Sequence, residues 1–120
     1  MRDHKSIVAW QEAHKVVEAV LEGSRTCWRP YAAAVFSQLQ RASLSVQLNI
    51  AEGYALISPR RFKNHLEIAY GSAVETQELL EILTGNNLLP DHLGREAIQN
   101  CARSQRLLLG LIKRYRDQGP

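Results

Sequence analysis

The chain has 120 residues, enough for one domain with one continuous hydrophobic core. Hydrophobic residues make up 45% of it and charged residues 22%, a balance that excludes a disordered polyelectrolyte. The formal net charge of +3 is too small to indicate nucleic-acid binding by itself, so the positions of the charges must decide. No apolar stretch approaches the roughly 18 residues of a membrane span, and the amino terminus lacks an apolar secretory core. We therefore expect a single domain over residues 1–120, located in the cytoplasm.

The first predicted helix runs from about Ser6, as its N-cap, to about Cys27. Its apolar residues recur at spacings of three and four, the period of one helix face. These residues are Trp10, Ala13, Val17, Val20 and Leu21. Pro30 ends the segment, because a proline disfavours helical geometry in the residue before it. Cys27 and Cys101 lie far apart without metal-ligand spacing, so we expect both to be free thiols.

The second predicted helix runs from about Ala33 to Tyr54. Five residues share its inner face, namely Phe36, Leu39, Ser43, Val46 and Ile50. Gly53 near the end is typical of a helix stop. After a short break, Ser58 and Pro59 form the pair expected of an N-cap followed by a first-turn proline.

The third predicted helix has the most regular pattern and ends at the cluster 85–87. Its apolar seam alternates spacings of four and three without a miss, through Phe62, Leu66, Ala69, Ala73, Thr76, Leu80 and Leu83. Such a seam is typical of a helix that packs at a shallow angle against its neighbours. Small residues at 71–73 predict a close helix approach. Phe62, Ile68, Leu79 and Ile82 widen the apolar arc, which predicts that the chain forms a homo-oligomer.

The fourth predicted helix runs from about Asp91 to about Arg116. Its inner stripe comprises Ala97, Cys101, Ser104, Leu108, Leu111 and Tyr115. No segment alternates with the period of two that a strand requires. Short connections between long amphipathic helices make sequential helices antiparallel neighbours. The sequence therefore predicts an all-α, antiparallel up-down four-helix bundle.

Basic residues cover the side of the fourth helix opposite Leu108. They are Arg95, Arg103, Arg106, Lys113 and Arg114. A basic face of this kind suits a phosphate backbone, where each neutralised phosphate adds salt-dependent affinity. The other interpretation, which the pattern alone favours slightly, is a solvated face whose last residues complement the helix C-terminal dipole.

Three further cations, Arg60, Arg61 and Lys63, occupy the first turn of the third helix. The helix dipole disfavours cations there by a few tenths of a kcal/mol each. One interpretation is that this charge serves an anionic ligand. The other is a tolerated cost that an i,i+4 pair between Lys63 and Glu67 offsets by about 0.2–0.5 kcal/mol. The sequence does not favour either interpretation of these three cations over the other.

Patterns for catalysis or metal binding are missing from the sequence. No glutamate precedes a histidine at the Glu-x-x-His spacing of di-iron bundles, and there is no nucleophile elbow or phosphate-cradling glycine loop. We therefore expect no enzymatic activity, metal, cofactor or small-molecule substrate. Four polar residues fall on or beside the faces of the central helices: Asn49, Glu52, Ser72 and Glu75. They predict either inter-helix hydrogen bonds or a small polar pocket.

The segment 45–54, which includes Asn49-Ile50-Ala51-Glu52-Gly53, is followed by Phe62, by Ile68-Ala69-Tyr70-Gly71-Ser72 and by Glu75. The chain also has Trp10-Gln11-x-Ala13-His14 near its start and a leucine-rich last helix. With these motifs the chain resembles the four-helix-bundle proteins encoded in intervening sequences of bacterial 23S ribosomal RNA genes. The resemblance covers nearly the whole chain and implies a ring-shaped homo-oligomer, a pentamer. A distant branch, the accessory proteins of diversity-generating retroelements, uses a similar basic pentamer to bind nucleic acid and a reverse transcriptase. One departure is Gln47, where relatives often have proline; it restores an amide donor and predicts a straighter second helix.

Together these features predict a non-enzymatic, oligomeric binding protein. Its partner would be RNA, or a protein already bound to nucleic acid, held by the first turn of the third helix and the outer face of the fourth. The alternative is a structural or protein–protein interaction oligomer whose basic residues only keep it solvated. A salt titration separates these two hypotheses, because phosphate contacts depend steeply on salt.

Overall fold

A computed structural model describes residues 3–116 of the chain. Four long helices run through it: α1 Val8–Cys27, α2 Ala33–Ala55, α3 Pro59–Gly85 and α4 Asp91–Arg116. Each packs against the next, and α1 also packs against α4, which closes a bundle measuring 46 × 22 × 22 Å. Residues 3–116 contain no β-strand. The predicted all-α, antiparallel up-down four-helix bundle is confirmed.

The helix starts confirm one predicted cap and correct another. Ser58 caps α3, since its hydroxyl accepts a hydrogen bond from the Arg61 amide at 3.3 Å, and Pro59 is the first helical residue. Ser6 is not the N-cap of α1. Its hydroxyl donates to the Asp3 carbonyl at 2.8 Å inside a short 3-10 helix, His4–Ser6, and α1 begins after Ile7. A second short 3-10 helix, Pro30–Ala32, precedes α2.

The core lies along the faces that the sequence predicts for α2, α3 and most of α4. All five inner-face residues of α2 and all seven seam residues of α3 are buried. In α4 the stripe is buried as far as Leu108, while Leu111 and Tyr115 are half-buried. Phe62 is only 3% exposed, so it belongs to the core and adds nothing to an oligomer surface.

The predicted face of α1 is confirmed at Ala13, Val17 and Val20, which are buried. Leu21 is 50% exposed and Trp10 is half-buried, and the observed face includes Ala9, Glu12 and Val16 instead. Glu12 is the reason that the pattern misled, because a charged residue on the inner face does not register as part of an apolar stripe.

Ala73 lies on the α3 seam and is 0% exposed. Its carbonyl oxygen accepts a hydrogen bond from the Cys101 thiol at 3.1 Å, and the cavity of about 10 Å³ that Ala73 lines is smaller than the three carbons a leucine would add. Replacing Ala73 by Leu should overpack this contact and lower the free energy of unfolding by about 1–3 kcal/mol. Thermal melting measures the loss. Val74→Leu is the matched control, because Val74 is 40% exposed and should tolerate the larger side chain. Equal melting temperatures for the two variants would contradict the packing described here.

Candidate nucleic-acid interface

The start of α3 and the end of α4 meet at one end of the bundle, because these neighbouring helices run antiparallel. The rings of Phe62 and Tyr115 lie edge to face with centroids 4.9 Å apart. Phe62 is flanked in sequence by Arg61 and Lys63, and Tyr115 follows Arg114. The aromatic contact therefore brings together two groups of cations that the sequence places about fifty positions apart.

We call this surface the basic end and define it by Arg60, Arg61, Lys63, Lys113 and Arg114. Lys63 is half-buried and the other four are exposed. Among residues 3–116, no carboxylate lies within 4.0 Å of the charged atoms of any of the five. In particular the i,i+4 pair between Lys63 and Glu67 does not form. The interpretation that such a pair offsets the cost of cations at the α3 start therefore loses its support.

The three remaining candidate cations lie elsewhere on α4. Arg103 forms an ion pair with Glu12 of α1 at 3.1 Å, and Arg95 lies 3.9 Å from Asp91 one turn earlier. Arg106 is exposed on the outer face of the helix. The predicted basic face of α4 is thus solvent-accessible, but two of its five members already have carboxylate neighbours.

The ion pair of Arg103 involves a buried carboxylate that the sequence analysis missed. The Glu12 side chain is 3% exposed, and Lys15 approaches its second oxygen at 3.4 Å. A carboxylate removed from water needs such partners, so Arg103 has a structural role in joining α1 to α4. The only signal in the sequence is the position of Glu12, next to Ala13 and one turn before Val16. Its partner on α4 depends on the helix register, which the pattern does not give.

Charge is unevenly distributed along the bundle axis. Dividing each helix at its midpoint, the half that contains the basic end (3–17, 45–72 and 104–116) has nine Lys or Arg and four Asp or Glu, a net charge of +5. The other half (18–44 and 73–103) has five cations and seven carboxylates, a net charge of −2. Most of the modest overall charge is therefore concentrated at one end, where a potential acts on a nearby polyanion.

The predicted polar cluster forms inter-helix hydrogen bonds between α2 and α3. Ser45 and Ser72 join their hydroxyls at 2.7 Å, and the Asn49 amide donates to the Ser45 carbonyl at 2.9 Å. Asn49 also pairs through its carbonyl oxygen with Nδ1 of His65 at 2.9 Å. Glu75 bonds separately to Gln38, and Glu52 is exposed and outside this chain of bonds. The cluster connects two helices rather than lining a pocket.

The buried thiol of Cys101 is not placed for nucleophilic chemistry. Cys27 and Cys101 are both free thiols, as the sequence predicts. Burial raises the pKa of the Cys101 thiol to about 11, so this thiol stays protonated at neutral pH. Among residues 3–116 no three His, Cys, Asp or Glu side chains gather closely enough to hold a metal ion. Within the same part of the chain, no helix is both long and apolar enough to cross a membrane.

Fold and surface together define a small four-helix bundle with one strongly basic end. The chain belongs to the family of 23S rRNA-intervening sequence proteins, whose family model matches residues 5–110. Its fold is similar to the crystal structure of a protein of unknown function from the S23 ribosomal protein family of Bacteroides thetaiotaomicron VPI-5482. That likeness has a TM-score of 0.63 at 24% sequence identity and covers 85% of this chain and 98% of the other. At this identity it supports the fold alone. No curated protein matches the chain.

Proposed function

We propose that this protein is a non-enzymatic, cytoplasmic RNA-binding module that contacts the phosphate backbone through its basic end. One observation carries the proposal: two groups of cations from different helices meet at one end without carboxylate partners among the described residues. Cations that no protein group neutralises are available to phosphates, and each phosphate contact releases counterions.

The backbone supports the same proposal. Arg60 and Arg61 lie in the first turn of α3, where Pro59 has no N–H and the Arg61 amide donates to the Ser58 cap. The Arg60 amide is the first-turn donor that remains for a ligand. Helix amides of this kind attract anions, and the positive end of the helix dipole acts in the same direction. The cations and the Arg60 amide at the α3 start therefore favour one ligand, a phosphate group, although the positive end of the helix dipole repels the cations and slightly destabilises the helix.

A salt titration tests the proposal directly. We expect a labelled single-stranded RNA to bind with an affinity that falls steeply between roughly 50 and 200 mM salt. If all five cations of the basic end contact phosphates, the logarithm of the binding constant should fall against the logarithm of salt with a slope of about −3.5. Fluorescence anisotropy measures this slope. A slope near zero, or no binding at low salt, would overturn the proposal.

A second feature favours the hypothesis that the protein is a structural oligomer. Self-association of this kind is compatible with RNA binding. The outer faces of α2 and α3 expose Leu44 by 38%, Leu48 by 57% and Ile68 by 53%. Gly71 lies on α3, as Ile68 does, and a Cβ added there would meet nothing within 4 Å. A helix of a partner molecule can therefore approach α3 closely at this position. We propose that copies of the chain associate through this surface, and the family resemblance implies a pentamer. Burial of exposed leucine and isoleucine stabilises such contacts.

A single substitution tests the self-association. Replacing Leu48 by Glu should place a charge in each copy of the contact and convert the oligomer to a monomer, since unpaired buried charges are strongly disfavoured. Sedimentation velocity at micromolar concentration gives the result. Leu109→Glu is the control, because Leu109 is 48% exposed and lies on α4. A parent protein that sediments as a monomer would contradict the proposal, as would equal dissociation of both variants.

A further inference from the structure

An apolar groove opens beside the basic end, between the start of α1 and the end of α4. It has a volume of about 400 Å³ and is lined by Ile7, Val8, Leu107, Leu111, Arg114 and Tyr115, among others. Val8 is 45% exposed, so the groove is open to solvent at this wall. Arg114 belongs both to this groove and to the basic end, so the apolar walls and the cations form one continuous surface.

We infer that this groove receives one unpaired nucleobase of the RNA whose backbone lies on the basic end. The inference rests on the proposed RNA contact and specifies its substrate as RNA with at least one unstacked nucleotide. A base is planar and largely apolar on its faces, and proteins hold unstacked bases against aromatic rings and arginine planes. Tyr115 and Arg114 supply these two groups at the groove, where the Arg114 guanidinium carbon lies 6.0 Å from the Tyr115 ring centroid.

The cations around the groove and the size of the groove together favour a nucleotide as its ligand. The surrounding cations favour an anionic ligand, whereas the groove walls favour an apolar one. A blunt duplex satisfies the cations alone, because its bases are stacked inside. An acidic amphipathic helix also satisfies both, and its binding is the contrary outcome of the test. Tyr115 and Arg114 favour the nucleotide, because an unstacked base is held against such an aromatic ring and arginine plane. A nucleotide presents a phosphate and an apolar ring within a single unit, which suits a groove of this size.

The test uses three RNAs that differ by one base. The first is a short blunt duplex, the second carries a single-nucleotide extension on one strand, and the third has the same extension without its base. We expect the second RNA to bind about tenfold more tightly than the other two, since stacking of one base contributes on this scale. The third RNA is the internal control, because it keeps the extra phosphate.

A matched pair of variants assigns the effect to the groove. Val8→Gln should remove the preference for the extended RNA, because a longer polar side chain occupies the groove. Val74→Gln introduces the same change on α3 at a valine that is 40% exposed, and it should keep the preference. Neither variant alters a cation, so the salt dependence should stay that of the parent protein.

The outcomes separate this inference from the proposed function. If the parent protein binds none of the three RNAs, the proposed RNA contact falls and the inference falls with it. If it binds all three equally with a steep salt dependence, the RNA contact stands and the base-binding groove is wrong. Displacement of the extended RNA by an acidic amphipathic peptide, with the blunt duplex unaffected, would assign the groove to a protein partner and would also overturn the inference.

Discussion

Replacing Arg60, Arg61 and Lys63 together by Glu should abolish RNA binding while leaving the fold intact. Each phosphate contact becomes a repulsion, so we expect affinity at low salt to fall by roughly a hundredfold or more and the salt slope to flatten by about 2. The free energy of unfolding should rise by at most about 1–2 kcal/mol in total, because glutamates suit the positive end of the α3 dipole. Anisotropy and thermal melting on the same samples would show binding and stability moving in opposite directions. In an oligomer the change repeats in every subunit, which amplifies the loss of binding.

The control for this variant changes the same amount of charge at the other end of the bundle. Arg25, Arg29 and Arg41 are all exposed and lie in the half with net charge −2. Replacing these three by Glu should leave RNA affinity nearly unchanged, because their distance from the basic end exceeds the screening length of about 8 Å at physiological salt. Equal losses from the two triple variants would show that only net charge matters, and the basic end would lose its assigned role.

The second large effect concerns Gly53, where α2 lies close against α3. A Cβ added at this position would lie 2.5 Å from the Cβ of His65 and 3.2 Å from the Phe62 ring. The first of these contacts involves an atom fixed to the α3 backbone, so the helices must move apart. We expect Gly53→Ala to lower the free energy of unfolding by about 1–3 kcal/mol, although alanine is the better helix former.

Gly110→Ala is the matched control for that substitution. Gly110 lies inside α4, and a Cβ added there would meet nothing within 4 Å. Alanine should therefore stabilise the protein by about 0.5–1 kcal/mol through helix propensity. Denaturant unfolding of the two variants should give free-energy changes of opposite sign. A stabilised Gly53→Ala protein would show that the close approach of α2 and α3 is not retained in solution.

The close approach also gives a physical meaning to the Asn49-Ile50-Ala51-Glu52-Gly53 segment. Asn49 hydrogen-bonds to His65, and Gly53 one turn later packs directly against the same residue. Ile50 between them is 0% exposed. In this segment Asn49 supplies a hydrogen bond to α3, Ile50 supplies a core side chain, and Gly53 leaves the space that α3 occupies. The sequence predicted either inter-helix bonds or a small polar pocket in this region, and it did not identify His65 as the partner of Asn49.

Helix positions were predictable because they depend on local signals. Apolar spacing, Ser58 with Pro59, and the 85–87 cluster each act within a few residues, and the structure agrees with them to within one or two positions. α1 shows the limit of this approach. A charged residue on an inner face breaks the apolar pattern, and only the position of Arg103 on a helix about ninety residues later explains why Glu12 can be buried there.

The basic end shows a second limit. The sequence identified both groups of cations, yet it treated the fourth helix as one continuous basic face. Helix direction divides that face, since it places Lys113 and Arg114 beside the start of α3 and leaves Arg95 near the far end. The ion pair of Arg103 and the missing pair between Lys63 and Glu67 depend on side-chain geometry, which periodicity does not contain.

The uneven charge makes the bundle an electric dipole about 46 Å long. Near an RNA surface such a body experiences a torque as well as an attraction, so it should turn its axis toward the RNA before contact. The connection between α3 and α4, residues 86–90, then points away from the RNA. A fluorophore or affinity handle attached at Asn87 would report on the bound protein from the side facing solvent.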